Sequence, residues 1–525
     1  MSIRRVVICF SLILMAVVLI GIPFRSQLSS QSNTTTPTVL AGRNVNMVSG
    51  TKLPLGDPWL QRQNEPSVAV SSRNPMHLFA AANDYRTIDI SDDFNLRGIP
   101  GLSAVRDSWI GVFESFDYGE SWITTLLPGF PQDTSYEAQA SPIHGFDTAC
   151  DPIVRAGANG LFYFSGIAFN RSQQAGAVFV ARYVDLNNRE KVEVGTDPAS
   201  GYRKYVGPIE YMNTKLVDGG NPGQFIDMPN MAVDVPRNGA PFGNVYLAYT
   251  VFLGNTSQLV RSRIVFVRSS DGGVTWSGPI KLTESQHIIQ RPVIAIDPSD
   301  PTGKTIYVAF RRFAFGTAPG GIVFVKSIDG GLSFSKPVDV ATLLYPFDQG
   351  TSPLSFRTNS YPTMAVDGNG VAYIAWAQRY GQNALPSADG QARIVISYLP
   401  KGSLIWAAPQ IVDSSSLIDG HQFMPTMTFG GGRLMLAWYD QRGDISLQKQ
   451  TNKKFIEDGS DYRHTIDVRA AEVTPGTPPV FLPSIPVSRY LFYMDLGPDG
   501  EPVRGGDGKI KLWQGQYDYI NFPLF

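Results

Sequence analysis

The chain reads as an all-β protein, a six-bladed β-propeller of four-stranded antiparallel blades. Three observations carry that prediction. A Pro opening a short apolar strand, then a turn and a second apolar strand, recurs six times. The remaining runs are short, rich in Val, Ile, Phe and Tyr, and lack an amphipathic helical period. The pattern Ser-x-Asp-x-Gly-x-x-aromatic occurs at 115–122 ("SFDYGESW"), 269–276 ("SSDGGVTW") and 327–334 ("SIDGGLSF").

Composition sets the frame. The 525 residues are 43% hydrophobic and only 17% charged, with 51 Gly and 38 Pro, which suits many short strands joined by turns. A formal net charge of −1 offers no global field for nucleic acid or an anionic membrane. Cys9 lies in the N-terminal apolar segment, so Cys150 stands alone in the folded part and no intrachain disulfide framework is possible. Cys150 reads as a buried small residue rather than a nucleophile.

The elements follow in order. Residues 1–25 open with Arg4 and Arg5 and continue as an apolar run over 6–22, which reads as an export signal or a retained membrane anchor. The remainder is therefore expected outside the cytoplasm. Residues 26–59, rich in Ser, Thr, Gln and Asn at their start, read as a flexible linker. Asn33, Asn170 and Asn255 stand in Asn-x-Ser/Thr sequons, which matter only if the source glycosylates. Residues 60–525 form the propeller, with blades opening at Pro66, Pro152, Pro229, Pro292, Pro362 and Pro425. After Pro229, "NVYLAYTVF", "SRIVFVRSS" and "TWSGPIKLT" complete four strands, and the Pro292 unit repeats them. The Pro362 unit has the strands without the Asp motif. A polar stretch near 450–475 reads as an insertion in the last blade, and the chain ends on the apolar "DYINFPLF".

A four-stranded sheet of this kind cannot bury both faces alone, whereas a ring of such sheets does. In each motif copy the turn joins the third strand to the fourth. Ser and Asp can bond nearby backbone N–H groups and Gly accepts positive φ, so the turn reads as a hairpin clip. One Asp per turn falls far short of a Ca²⁺ loop. The structural positions are Ser115, Asp117, Gly119 and Trp122; Ser269, Asp271, Gly273 and Trp276; Ser327, Asp329, Gly331 and Phe334.

These three copies resemble the Asp-box (BNR) repeats of sialidases and their relatives, over most of residues 60–525. The resemblance implies a sialidase-like propeller and an enzyme that holds a sugar carboxylate with three Arg. It further implies a Tyr nucleophile paired with a Glu, and an Asp acid/base. The family's Arg-Ile-Pro has no counterpart in the first blade: "RGIP" at 97–100 carries an inserted Gly and follows the second strand. Roles transfer, positions do not.

Strand alternation puts the start of the first strand and the end of the second on one face of the disk, and the Asp turns on the other. Before the six Pro stand Glu65, Asp151, Met228 (after Asp227), Arg291, Tyr361 and Met424. The carboxylate-binding candidates are Arg86, Arg312, Arg379 and Arg442; the nucleophile or acid/base candidates are Tyr361, Glu65, Asp84, Asp151 and Asp440. An Arg at a strand end can equally pair with an Asp of a neighbouring blade and only lock the ring. The five His (77, 144, 287, 421 and 464) show no zinc-site spacing, and His421 lies near the expected mouth. No metal or cofactor is expected. "DLGPDGEPVRGGDGK" at 495–509 reads as turns. The expected function is an exported, sialidase-type glycoside hydrolase acting on an anionic sugar, with a carbohydrate or glycoconjugate as partner. The alternative is a non-catalytic propeller that binds a glycan or protein. The ring of Arg and carboxylates favours the first, the missing Arg-Ile-Pro the second.

Overall fold

The computed structural model describes residues 39–48, 63–85, 108–131, 133–170, 175–187, 208–220, 224–236, 242–254, 260–285, 287–348, 358–381, 383–413, 420–442 and 467–488. They form six antiparallel sheets, one per Pro-opened unit. Blade 1 is β1 (Gln63–Val70), β2 (Leu78–Asp84), β3 (Trp109–Ser115) and β4 (Ile123–Leu126). Blade 2 is β5 (Thr148–Ala156), β6 (Leu161–Asn170), β7 (Ala175–Asp185) and β8 (Ile209–Gly219). Blade 3 is β9 (Gln224–Val233), β10 (Val245–Leu253), β11 (Arg261–Ser269) and β12 (Ile280–Lys281). Blade 4 is β13 (Ile289–Ile296), β14 (Ile306–Arg312), β15 (Gly321–Ser327) and β16 (Val338–Thr342). Blade 5 is β17 (Thr363–Val366), β18 (Ala372–Tyr380), β19 (Gln391–Leu399) and β20 (Gln410–Ile411). Blade 6 is β21 (Gln422–Gly430), β22 (Arg433–Asp440), β23 (Asp467–Thr474), β24 (Val480–Phe481) and β25 (Ile485–Pro486), the last two both pairing with β23.

The strands are apolar on both faces because neighbouring blades cover both. β2 and β3 are buried throughout. Separate apolar cores seal blades 1 and 2, 2 and 3, 3 and 4, 4 and 5, and 5 and 6. Between blades 6 and 1 the bridging piece is residues 39–48, inside the stretch whose composition reads as linker. Val39 joins the core of blades 5 and 6, while Val45, Met47 and Val48 pack on blade 1. The Asn44 amide donates to the Val487 carbonyl at 3.1 Å. A few apolar side chains at the right spacing outweigh a polar average.

The first strands stand side by side around the axis. Their inner edges need partners, and the residue after the Pro supplies them in alternate blades. Ser67 Oγ accepts from the Val154 amide at 2.9 Å, Asn230 Oδ1 from Ile294 at 3.2 Å, and Thr363 Oγ1 from Met427 at 3.1 Å.

Each Asp turn closes the third-to-fourth-strand hairpin. In blade 3, Ser269 Oγ donates to Asp271 Oδ1 at 2.7 Å and accepts from the Gly273 amide at 2.8 Å. Asp271 also accepts from the Thr275 amide at 2.9 Å and hydroxyl at 2.5 Å. Asp117 and Asp329 repeat this with Ser121 and Ser333. Gly331 has φ +79° and a Cβ there would meet the Phe266 ring of blade 3 at 2.5 Å, so the third Gly serves both turn and blade contact. Register places these turns beside the start of the second strand (Leu78↔Ser115), away from its end (Gln63↔Asp84).

Part of the stretch near 450–475 is ordered blade. Asp467–Thr474 is the third strand of blade 6, and residues 443–466 lie outside the described residues. Residues 1–38 and 489–525, including the apolar N-terminal run, 495–509 and "DYINFPLF", also lie outside them. Among the described residues no helix is long and apolar enough to cross a membrane.

Candidate functional site

The residue before the Pro is the unit from which the site is built. In five blades the first strand carries a bulge there: its register shifts at Asn64/Ser67, Cys150/Ile153, opposite Ala248/Thr250, at Gln290/Val293 and at Phe423/Thr426. Proline has no N–H for a ladder and is tolerated where a bulge leaves none needed. Glu65, Asp151, Met228, Arg291 and Met424 accordingly sit at φ between 51° and 57°, a region costly for side chains other than Gly. Five non-glycine residues take this conformation at one level of the ring. Blade 5 differs: its strand starts at Thr363, and Tyr361 enters from a turn in which its amide donates to the Asn359 carbonyl at 2.8 Å.

Three carboxyl groups meet across blades 1 to 3. The Asp151 carboxyl acts on and is acted on by both the Asp227 and the Glu65 carboxyls. Burial, then the charge of Asp227, raises Asp151 to about 6, so it holds a proton beside its neighbours. Burial raises Asp227 as well. Asp151 Oδ2 accepts from the Met228 amide at 3.1 Å, and Asn83 Oδ1 accepts from the Asp151 amide at 2.8 Å. Asn83 Nδ2 reaches Glu65 Oε2 at 3.5 Å. Arg291 faces this cluster from blade 4. Burial opposes its charge, but Glu65, Asp151, Tyr361 and Asp227 together hold its pKa above the ordinary value. Its guanidinium carbon is 5.9 Å from the Tyr361 ring centre. The Tyr361 hydroxyl donates to Gln290 Oε1 at 2.5 Å and accepts from Asn359 Nδ2 at 3.1 Å. Cys150 lies beside the cluster, and burial with the charges of Asp151, Asp227 and Glu65 pushes its thiol well up, which keeps it protonated.

The structure thus brings together Glu65, Asp151 and Tyr361. It places the other candidates elsewhere. Asp84 is buried within blade 1, accepting from Gln63 Nε2 at 3.5 Å, and Asp440 repeats that pairing with Gln422 at 3.3 Å in blade 6. Arg442 binds Asp440 Oδ2 at 2.6 Å and Asp413 Oδ2 at 2.7 Å, and Arg312 forms a two-point pair with Asp339 at 2.7 and 2.9 Å. Arg442, reaching Asp413 at the end of blade 5, does what the ring-locking alternative describes, whereas Arg312 pairs within its own blade 4. Arg379 packs on Phe347, 4.9 Å from the ring centre, and donates to the Gly390 carbonyl at 3.0 Å. Arg86 lies outside the described residues. His421 stacks on Phe347 and accepts the Ala392 amide at Nδ1, 3.0 Å away.

Asp227, Arg291 and Asn83 complete the site without having been candidates. Arg291 occupies the same pre-Pro position as Glu65 and Asp151, which was the available signal. Asp227 stands one residue earlier, and only its geometry reveals it. Arg311, 1% exposed, is bound to Asp348 at 3.0 Å, with its Nε and Nη1 unpartnered. Among the described residues no group of His, Cys, Asp or Glu is arranged to hold a metal ion.

No protein-family profile matches the chain. No curated protein matches it significantly. Similar solved structures include a Hadza microbial sialidase, with 12% identity over 73% of this chain and 64% of that one, TM-score 0.38. The Trypanosoma rangeli sialidase with sialic acid is 12% identical over 73% of this chain and 52% of that one, TM-score 0.37. An α-L-arabinofuranosidase of Fusarium graminearum with arabinobiose is 13% identical over 73% of this chain and 90% of that one, TM-score 0.39. The chain spans from about half to just under two thirds of the length of these sialidases.

Proposed function

We propose that the chain is an exported glycoside hydrolase whose chemistry resides in the Glu65, Asp151 and Asp227 carboxyl groups and the Tyr361 hydroxyl at the channel mouth. The observation that carries this reading is the meeting of three carboxyls from three consecutive blades at the pre-Pro level of the ring. Glycoside hydrolysis needs one carboxyl protonated to assist the leaving oxygen and a nucleophile or base on the opposite side of the reacting carbon. Asp151, held protonated towards neutral pH, takes the first role. Glu65 and Asp227 both contact Asp151, so they lie on its side of the sugar and hold its proton in place, and the second role falls to the Tyr361 hydroxyl, facing the cluster beside Arg291, as nucleophile. Arg291 would hold sugar oxygens across the channel.

The charge balance bears on the substrate. Arg312 and Arg442 are spent on carboxylates outside the cluster, and among the described residues Arg291 is the cation that faces the three carboxyl groups. A sugar carboxylate would meet more repulsion than attraction, so the reading favours an uncharged glycan over the anionic sugar expected from the repeat resemblance. The test is release of the aryl group from a panel of neutral pyranosides and furanosides, sialosides and uronides, by wild type and Asp151→Asn. Turnover of a neutral glycoside, reduced about 10²–10⁴-fold in the variant, is expected. Turnover of the sialoside alone would restore the anionic reading. Glycan binding without any turnover would leave the non-catalytic propeller.

A further inference from the structure

The channel has a second end, and its wall follows a rule with one exception. Three residues beyond the Pro of each first strand stand Ala69, Arg155, Ala232, Ala295, Ala365 and Thr428. All six line one cavity of about 1160 Å³ at the end where the first strands finish, opposite the carboxyl cluster. Five small side chains leave the axis open at this level, and one guanidinium enters it. The next position is apolar in every blade, Val70, Ile296 and Phe429 among them, and also lines the cavity.

Arg155 is the charged side chain at its level of the wall. Its Nη1 donates to the Val154 carbonyl of its own strand at 2.8 Å, and it forms no ion pair among the described residues. Burial lowers its guanidinium to about 10. Of the three carboxylates that line this cavity, Asp297 and Asp300 are held by rim turns and Asp234 stands at the mouth. Asp297 Oδ1 accepts from the Ser299 amide at 2.8 Å and hydroxyl at 2.6 Å. Asp300 accepts from the Thr302 and Thr305 amides, both at 2.9 Å. Asp234 and Asp297 stand two positions beyond the Arg155 level, at the mouth. An unpaired cation in an apolar wall is costly unless an anion joins it, and a guanidinium takes a carboxylate through two parallel N–H donors.

We propose that this chamber is a second binding site, taking an organic carboxylate with an apolar body, its carboxylate on Arg155 and its chain against the apolar collar. The occupant is chemically distinct from a sugar, and the site is independent of the hydrolytic reading.

The experiment is calorimetric titration of the full chain at pH 8 with sodium decanoate, decan-1-ol and acetate, each against wild type, Arg155→Met and Arg155→Lys. Decanoate should bind at least tenfold more tightly than decanol or acetate. Arg155→Met should lose tenfold or more for decanoate and leave decanol unchanged, while Arg155→Lys keeps most of the affinity. Hydrolysis at the other mouth should be the same in all three proteins. Decanoate binding no better than decanol, or undiminished in Arg155→Met, overturns the proposal. Should Arg155→Met fail to fold, the wild-type decanoate-to-decanol ratio and Arg155→Lys still decide it.

Discussion

Replacing Asp151 by Asn separates the proton it holds from everything else the side chain does. The amide keeps an oxygen for the Met228 N–H, 3.1 Å away in the native chain, and cannot ionise. The native carboxyl, by contrast, is raised from 3.8 to about 6 by burial and by Asp227. Between those values the folded chain holds a proton that the unfolded chain has released. The carboxyl therefore leaves stability at its highest below about pH 4, and stability falls as pH rises through about 6. Above that, keeping Asp151 ionised costs about 3 kcal/mol, taking about 1.4 kcal/mol per pH unit. At roughly 2 cal/mol/K per residue, that is a melting-temperature difference of roughly 3 °C for a chain of this length. Thermal melts from pH 4 to 8 provide the assay. Asp151→Asn should match wild type within about 1 °C at pH 4, exceed it at pH 8, and have lost its hydrolytic rate throughout. Parallel melting curves for the two proteins, or a variant as active as wild type, would refute the assignment of the proton to this carboxyl.

Other perturbations separate structure from chemistry. Asp271→Ala removes the acceptor of the Val274 and Thr275 amides and should cost about 1–2 kcal/mol in a denaturant melt, with kcat unchanged, because the turn is at the far end of the blade. Desolvation pushes its carboxyl up, but the Thr275 hydroxyl and amide, the Ser269 hydroxyl and the Val274 amide together outweigh it and hold the carboxyl down to about 2. The wild-type advantage should therefore be full above pH 3.8 and disappear as pH falls through about 2. Arg442→Ala leaves Asp440, 0% exposed, without its cation and should destabilise by about 3–5 kcal/mol. The half-exposed Arg312–Asp339 pair should lose no more than about 1 kcal/mol on Arg312→Ala. Both variants, at temperatures where they are folded, should hydrolyse at the wild-type rate. A folded Arg442→Ala protein with kcat reduced a hundredfold would return Arg442 to the site.

Much of the site's location was legible in the chain because it follows from local rules. A Pro inside a strand requires a bulge, a bulge turns the preceding side chain out of the ladder, and the first strand of a blade lies on the axis. Reading the residue before each Pro therefore places Glu65, Asp151, Arg291 and Tyr361 at one level, although Arg291 was not among the candidates. Choosing among charged residues at strand ends was another matter. Arg312 and Arg291 look alike in sequence, yet one reaches Asp339 in its own blade and the other looks across the channel at three carboxyls.

The repeat, by itself, set the strand count, the order of the blades, and the end of each blade that carries the Asp turn. These depend on alternation and turn chemistry, which act over a few residues. The assembled ring decided which charges are spent and which are free. Ion pairing and carboxyl–carboxyl contact depend on distances between blades that are far apart in the chain. Asp151 meets Asp227 only because blades 2 and 3 are neighbours, and among the described residues Arg155 makes no ion pair, the five residues at its level in the other blades being uncharged. No local pattern encodes either fact, since each is a property of side chains converging on a common axis.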